Sequence, residues 1–142
     1  MKKLKSQPVG WKQVDRYLAA ATKKLATAKK VLPIDDEAAF QLAYEAMLKG
    51  SLGLMLSHGL RPRSTPGHHI AIIEFAEKQL GAPSHRLLAL FDRMRRKRNQ
   101  ALYDATGLIT RTEAEQALDT AAKYLASVDL HVAKRHPQRK LI

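Results

Sequence analysis

The chain has 142 residues, of which 45% are hydrophobic, and this is the size and apolar content of one ordinary globular domain. It contains no cysteine, which excludes disulfides and thiolate metal sites, and it has no run of about 18 apolar residues that would span a membrane. Lys and Arg number 25 against 13 Asp and Glu, and the formal charge of +12 predicts a polyanionic partner such as RNA, DNA or an acidic protein.

Helix-forming residues dominate the sequence, since only 6% of the residues are aromatic and only seven are glycine. This composition predicts an all-α fold. The N-terminus "MKKLKSQPVGWKQV" lacks the apolar segment that follows the positive charges of a signal peptide. We therefore expect a cytoplasmic protein.

The first two predicted helices follow from apolar residues that recur every three or four positions. Helix one begins at Trp11 and ends before Pro33, with an apolar stripe of Trp11, Val14, Leu18, Ala21, Leu25, Ala28 and Leu32. Helix two runs from about Glu37 to about Ser57 and is capped by Asp35 or Asp36. Its stripe comprises Phe40, Tyr44, Met47, Ser51 and Leu54, and this spacing places Trp11 and Tyr44 in the core.

The segment "HGLRPRSTPGHH" predicts a loop, because it contains two glycines and two prolines. Its Arg61 and Arg63 precede a helix N-terminus, a combination that can hold a phosphate. The adjacent His68 and His69 are interpreted as exposed residues at the start of helix three, because neighbouring side chains on a helix point in different directions. Helix three then turns Ile70, Ile73, Ala76 and Leu80 inward and ends at Gly81.

Helices four and five complete the pattern. Ser84 is the predicted cap of helix four, whose apolar residues are Leu87, Leu88, Phe91, Met94, Ala101 and Leu102. After Gly107, two overlapping capping boxes open helix five: Thr110 with Glu113, and Thr112 with Glu115. Helix five buries Ala114, Leu118, Ala121, Leu125, Val128 and Val132. The prediction is an up-and-down antiparallel bundle of about five helices in a single domain, 10–134, with basic, flexible termini at 1–9 and 135–142.

A carboxylate-bridged metal site in a helical bundle needs Glu followed three residues later by His, and no Glu in the chain meets that requirement. We therefore expect no metal and no cofactor.

The stretch "RMRRKRNQALYD" is the strongest candidate for a functional site. Four of its basic residues, Arg93, Arg95, Arg96 and Lys97, predict a cationic surface that binds nucleic acid. Arg98 is in line with the apolar residues of helix four, so its guanidinium needs an anion, a cleft or a subunit interface, unless it extends to solvent from the rim of the core. Asn99 and Tyr103 are four residues apart and share a second face of the helix.

The string "RNQALYD", residues 98–104, resembles the signature of the HEPN domain (higher eukaryotes and prokaryotes nucleotide-binding), whose usual form is Arg, a polar residue that is often Asn, three variable residues and His. The resemblance extends from Trp11 to Val132. It includes the helix "AYEAMLKGSLGLMLSHGLRP", a loop of the form Gly-x-Arg-Pro-x-Ser/Thr that leads to a His, and a final helix that opens with Glu-Ala. The resemblance implies a bundle of four to five helices that acts on RNA.

Many HEPN proteins resemble metal-independent endoribonucleases whose Arg and His meet at a homodimer interface, and many are toxins paired with a nucleotidyltransferase antitoxin. The resemblance assigns catalytic positions to Arg98, Asn99 and Tyr103. Tyr103 stands where the family usually has His, and a tyrosine, with a reference pKa near 10, is a poor base at neutral pH.

Enzymatic activity is therefore left open, and the leading hypothesis is a protein that binds RNA or nucleotide. The alternatives are a non-catalytic module that docks an acidic protein such as a nucleotidyltransferase, and a generic basic nucleic-acid-binding protein.

Overall fold

The computed structural model describes residues 4–62, 68–104 and 108–137. This part of the chain forms five α-helices and one short antiparallel ribbon. The elements are β1 (Leu4–Ser6), α1 (Trp11–Val31), α2 (Asp36–Ser57), β2 (Leu60–Pro62), α3 (His68–Leu80), α4 (His85–Leu102) and α5 (Arg111–Arg135), with a 3-10 turn at Ala82–Ser84. The all-α bundle predicted from the sequence is confirmed.

Helix α2 is the centre of the bundle, because it packs against each of the other four helices. Asp35 caps it by accepting a hydrogen bond from the backbone N–H of Ala38 at 3.0 Å. Within α2, Gly53 lets α1 approach closely: a Cβ at this position would lie 2.8 Å from Cδ2 and 3.2 Å from Cγ of Leu18. The small residue is therefore required by packing.

Helices α2 and α5 run in the same direction. Their first turns are joined by the ion pair of Asp36 with Arg111, and their last turns by His58, which follows α2, and His131. Helix α1 packs against α2 and α5, whereas α4 packs against α2, α3 and α5. Helices α1 and α4 therefore lie on opposite sides of the α2–α5 pair.

The ribbon of β1 and β2 has no counterpart in the sequence prediction. Leu4 pairs with Pro62 and Ser6 with Leu60, and the N–H of Gln7 donates to the carbonyl of Gly59 at 2.7 Å. Gly59 has a φ of +70°, and a Cβ there would lie 2.6 Å from the carbonyl oxygen of Gln7. Only glycine fits this turn.

Four details of the predicted helices are wrong, two in which residues are buried and two in how the helices are capped. Ile70 is 40% exposed because α3 instead buries the face that carries Ala71, Ile72, Ile73, Phe75 and Ala76. Leu102 is 53% exposed because it is the last residue of α4, where the chain turns away from the core.

Ser84 makes no side-chain capping bond, because it closes the 3-10 turn and lacks the extended backbone of an N-cap. Of the two capping boxes, the one of Thr110 with Glu113 forms, and Thr112 lies inside the first turn of α5. Helix α3 ends just before Gly81, as predicted, and this glycine has a positive φ of +75° with a ψ of −169°, a conformation that favours glycine.

Over the residues described, no helix is both long enough and apolar enough to cross a membrane.

Candidate functional site

Arg98 and Phe91 are seven residues apart on α4, so they share one face of that helix. Both contact Tyr44 of α2: the Phe91 ring meets the Tyr44 ring edge-on at 5.5 Å, and the guanidinium carbon of Arg98 lies 5.5 Å from the centre of the same ring. Tyr44 is fully buried. The apolar stripe of α4 thus ends in a cation held over an aromatic face, a favourable arrangement.

The hydroxyl of Tyr44 connects this pair to α3. Its oxygen lies 3.1 Å from Nδ1 of His69, and the ring of His69 meets that of His68 edge-on with centroids 4.4 Å apart. Both histidines are half-buried. The prediction that His69 is simply an exposed residue at a helix start is therefore wrong, because the buried phenol needs a hydrogen-bond partner and His69 is within reach.

The pKa values at this site are shifted. Burial raises the pKa of Tyr44 to about 12, although the positive charges of Arg98 and Arg95 oppose the shift. Burial also lowers the pKa of His69, and the nearby His68, Arg98 and Arg95 lower it further. At neutral pH the site therefore contains a protonated phenol, a neutral imidazole and two guanidinium groups.

The two arginines differ in their partners. Arg95 is 18% exposed, and its Nε donates to the Asp92 carboxylate at 3.0 Å, so its charge is compensated. Arg98 forms no ion pair with any residue that the structure describes, and its Nε is buried without a hydrogen-bond partner. An anion that entered beside Tyr44 and His69 would pair with the guanidinium charge of Arg98 and accept a hydrogen bond from its Nε. We call Tyr44, His69, Arg95 and Arg98 the Arg98 site.

Asn99 and Tyr103 do not join this group through any contact of the described residues. Asn99 is exposed, and Tyr103, which follows the last residue of α4, is 90% exposed. The two side chains therefore face solvent near the C-terminal end of α4.

The predicted cationic surface is divided between different faces of the molecule. Arg93 is exposed and lines a cavity of about 200 Å³ between α4 and α5, together with Lys97, whose Nζ lies 3.1 Å from the Glu113 carboxylate. Arg96 is exposed and pairs with Asp92 at 3.4 Å. Only Arg95, among these four residues, belongs to the Arg98 site.

Arg61 is exposed in β2 and lines a second cavity, of about 480 Å³, with Tyr17 of α1 and Leu56 of α2. Arg63, the other residue of the predicted phosphate site, lies outside the described residues.

Neither Tyr44 nor His69 is among the site residues predicted from the sequence. Their signal in the sequence was slight: a tyrosine on a buried stripe has a hydroxyl that needs a partner, and a histidine at a nearby helix start can supply one. The part of the chain that the structure describes holds no cluster of three or more His, Asp or Glu side chains that would bind a metal.

Comparison with known proteins identifies the class to which this fold and site belong. The family model of the HEPN domain matches residues 14–131, so the chain belongs to the HEPN family. The fold is similar to the crystal structure of TT1696 from Thermus thermophilus, with a TM-score of 0.65 and 25% sequence identity over 84% of this chain and 98% of that one. None of the curated proteins matches the sequence.

Proposed function

We propose that this HEPN protein binds RNA by holding a phosphate group in the Arg98 site. The observation that carries the proposal is the guanidinium of Arg98, which lies over the Tyr44 ring, has a buried Nε without a hydrogen-bond partner and pairs with no described carboxylate. A planar guanidinium can donate two parallel hydrogen bonds to a phosphate. The net charge of +12 raises the local concentration of such a ligand.

Family membership supports the choice of RNA, because HEPN domains bind nucleotides or RNA. The alternative of an acidic protein docked on α4 is less well supported, because Arg95, Arg96 and Lys97 already have carboxylate partners within the chain. A docking protein would have to replace those ion pairs.

A second candidate function is metal-independent RNA cleavage, and His69 is the specific observation in its favour. In the tautomer in which Nδ1–H of His69 donates to the Tyr44 hydroxyl oxygen, Nε2 carries the lone pair and is the ring nitrogen that would act on RNA. Because the lowered pKa keeps the ring neutral at pH 7, it can accept a proton there.

The proposal includes a homodimer, as the family resemblance implies. The exposed side chains of Leu102 and Tyr103 offer apolar surface near the end of α4 for a second copy. A toxin–antitoxin pair with a nucleotidyltransferase is the biological setting that we propose for this activity.

The binding proposal is tested with fluorescently labelled single-stranded RNA and the variants Arg98→Ala and Arg86→Ala. Both variants remove one positive charge from α4, but Arg86 is exposed in the first turn, far from the Arg98 site along the helix. A charge-assisted hydrogen bond contributes about 1.5–3 kcal/mol, so we expect Arg98→Ala to weaken binding by about tenfold or more. The control should weaken it by less than about threefold.

Arg98→Lys retains the positive charge but replaces the planar guanidinium, with its two parallel hydrogen-bond donors, by an ammonium group. If Arg98 grips a phosphate with two donors, this variant should bind almost as weakly as Arg98→Ala. Equal, small losses in Arg98→Ala and Arg86→Ala would show that only net charge matters and would overturn the proposal.

A further inference from the structure

Helix α1 carries a straight row of cations that the Arg98 site does not use. Lys12, Arg16, Lys23 and Lys30 are all exposed, and at 100° per residue they fall within about 40° of one another around the helix axis. The row is about 27 Å long at 1.5 Å per residue. We call these four residues the α1 stripe.

No member of the α1 stripe forms an ion pair within the described part of the chain. The other basic residues of α1 differ: Lys24, for example, pairs with Glu45 of α2 at 2.9 Å. On the stripe itself, small exposed residues such as Ala19 and Ala26 lie between the cations. The positive potential of this surface is therefore not cancelled locally, in contrast to that of Arg95, Arg96 and Lys97 on α4.

The unpaired cations of the α1 stripe and the small residues between them favour one of three classes of partner. A membrane surface is disfavoured, because an interfacial helix needs large apolar residues beside its cations and the stripe has alanines there. A second copy of the chain is disfavoured, because the exposed carboxylates outside the ion pairs, such as Glu74 and Glu77 of α3 and Glu115 of α5, are spread over different helices and do not form a matching row. A nucleic acid remains, and its backbone charges fit an unpaired linear row of cations.

The stripe also favours a duplex over a single strand. Proteins that bind single strands without sequence preference use exposed aromatic rings on which the bases stack. Trp11 and Tyr17, the aromatic residues of α1, are only partly exposed and pack against the core. Recognition here would rest on the regular backbone of a duplex, which is also how proteins mainly recognise double-stranded RNA.

We propose that the α1 stripe is a second RNA-binding surface, which holds the sugar-phosphate backbone of a duplex segment. The stripe and the Arg98 site lie on opposite sides of the α2–α5 pair, so they contact different parts of one RNA. The substrate class is an RNA with both a stem and a single-stranded segment. The choice of RNA rests on the proposed function, whereas the surface itself rests on α1 alone.

The test compares the full-length protein with the triple variant Arg16→Gln/Lys23→Gln/Lys30→Gln. Binding to a blunt RNA duplex and to a single-stranded RNA is measured by fluorescence anisotropy at several salt concentrations. Each lost duplex phosphate contact changes the slope of log K against log salt by about 0.9, so the slope for the duplex should become shallower by roughly 2.7. Binding of the single strand should change by less than about threefold.

The matched control is Lys78→Gln/Arg86→Gln/Lys123→Gln, which removes three exposed positive charges from α3, α4 and α5. Gln is a good helix former, and circular dichroism would verify that both variants are folded. Equal slopes in the two triple variants would overturn the proposal. So would displacement of the duplex by polyglutamate at the same concentration of charge, because the partner would then be any polyanion, an acidic protein included.

Failure of the two proposals can be told apart. If Arg98→Ala leaves single-stranded binding intact while the α1 variant loses the duplex, the Arg98 site is not a phosphate site and the α1 stripe stands. If Arg98→Ala no longer binds the single strand while the α1 variant keeps the salt slope for the duplex, the Arg98 site stands as a phosphate site and the α1 stripe is not an RNA-binding surface.

Discussion

Two side chains are candidates for proton transfer near Arg98. Tyr103 follows five residues later, at the position to which the family resemblance assigns a His, but its side chain is 90% exposed. His69 is distant in sequence, yet it lies within hydrogen-bond distance of the hydroxyl of Tyr44, whose ring contacts Arg98. A phenol is a poor proton acceptor at neutral pH, whereas a neutral imidazole is a good one. If the protein cleaves RNA, the residue to test first is therefore His69.

We expect His69→Gln to abolish any cleavage of RNA in the presence of EDTA, and Tyr103→Phe to retain it. In that reaction, Nε2 takes the proton of a ribose 2′-hydroxyl, the 2′-oxygen attacks the phosphorus, and the bond to the 5′-oxygen breaks. The departing 5′-oxygen takes a proton from water, and the hydroxide that is left takes the proton from His69. The products, a 2′,3′-cyclic phosphate and a 5′-hydroxyl, are identified by mass spectrometry.

Tyr103→His serves as the complementary variant, because it introduces the residue that the resemblance to the family signature predicts at this position. Cleavage that disappears in Tyr103→Phe and persists in His69→Gln would assign the chemistry to Tyr103 and contradict the prediction. Absence of cleavage in the wild-type protein would leave RNA binding as the function of the site.

At the scale of the element, helix periodicity predicted α1 well, because a helix that packs on one side has one apolar stripe. Its five buried residues, Val14, Leu18, Ala21, Leu25 and Ala28, all belong to the predicted set. Helix α2 is buried on nearly every side, and its small residues at 50 and 53 face Leu125 and Leu18. A single apolar stripe is a poor description of a helix that is buried on nearly every side. The tight packing around Gly53 could therefore not be predicted from the spacing of apolar residues.

The packing at Gly53 predicts that Gly53→Ala destabilises the protein, although alanine is the better helix former. Helix propensity alone favours Gly53→Ala by about 1 kcal/mol, but the added methyl would meet two atoms of the buried Leu18. We expect the variant to lower the free energy of unfolding by about 1–3 kcal/mol, as measured by urea denaturation.

Ala126 on α5 is exposed and provides the control for propensity. Ala126→Gly should destabilise the protein by about 1 kcal/mol, since it meets no packing constraint. A gain of stability in Gly53→Ala would show that Leu18 moves aside easily and that α1 and α2 are not tightly packed.

For the whole molecule, the contact between the last turns of α2 and α5 makes stability depend on pH. Nε2 of His58 and Nε2 of His131 are 2.9 Å apart, and the side chain of Arg135 donates to the carbonyl oxygen of Ser57 beside them. Burial, together with the charges of Arg135 and His131, lowers the pKa of His58 to about 4. The pKa of His131 is lowered for similar reasons, burial first.

Stability should therefore decrease as the pH falls from about 6.5 towards 4. In that window the unfolded chain binds protons at its histidines, whereas folded His58 stays neutral, so protons favour the unfolded state. Because the ring is partly exposed, solvent screening limits the effect of His58 to about 1 kcal/mol. Urea denaturation at pH 7, 6 and 5 measures this loss of stability.

His58→Gln should reduce this pH dependence without removing it, since the pKa values of His69 and His131 are lowered too. Glu113, whose pKa is lowered by its capping bond to Thr110, contributes only below about pH 4.5, which is below the pH 7 to 5 range of these measurements. An unchanged dependence in His58→Gln would exclude His58 as its source.

The sequence by itself determined the all-α class, the extent of α1 and the alignment of Arg98 with a core stripe, because these depend on periodicity along one helix. Only the tertiary structure decided that Arg98 and His69 both contact Tyr44, since these residues lie on three helices. It also separated the paired cations of α4 from the unpaired α1 stripe. Composition supplies the net charge, but which carboxylate neutralises which cation depends on how the helices pack.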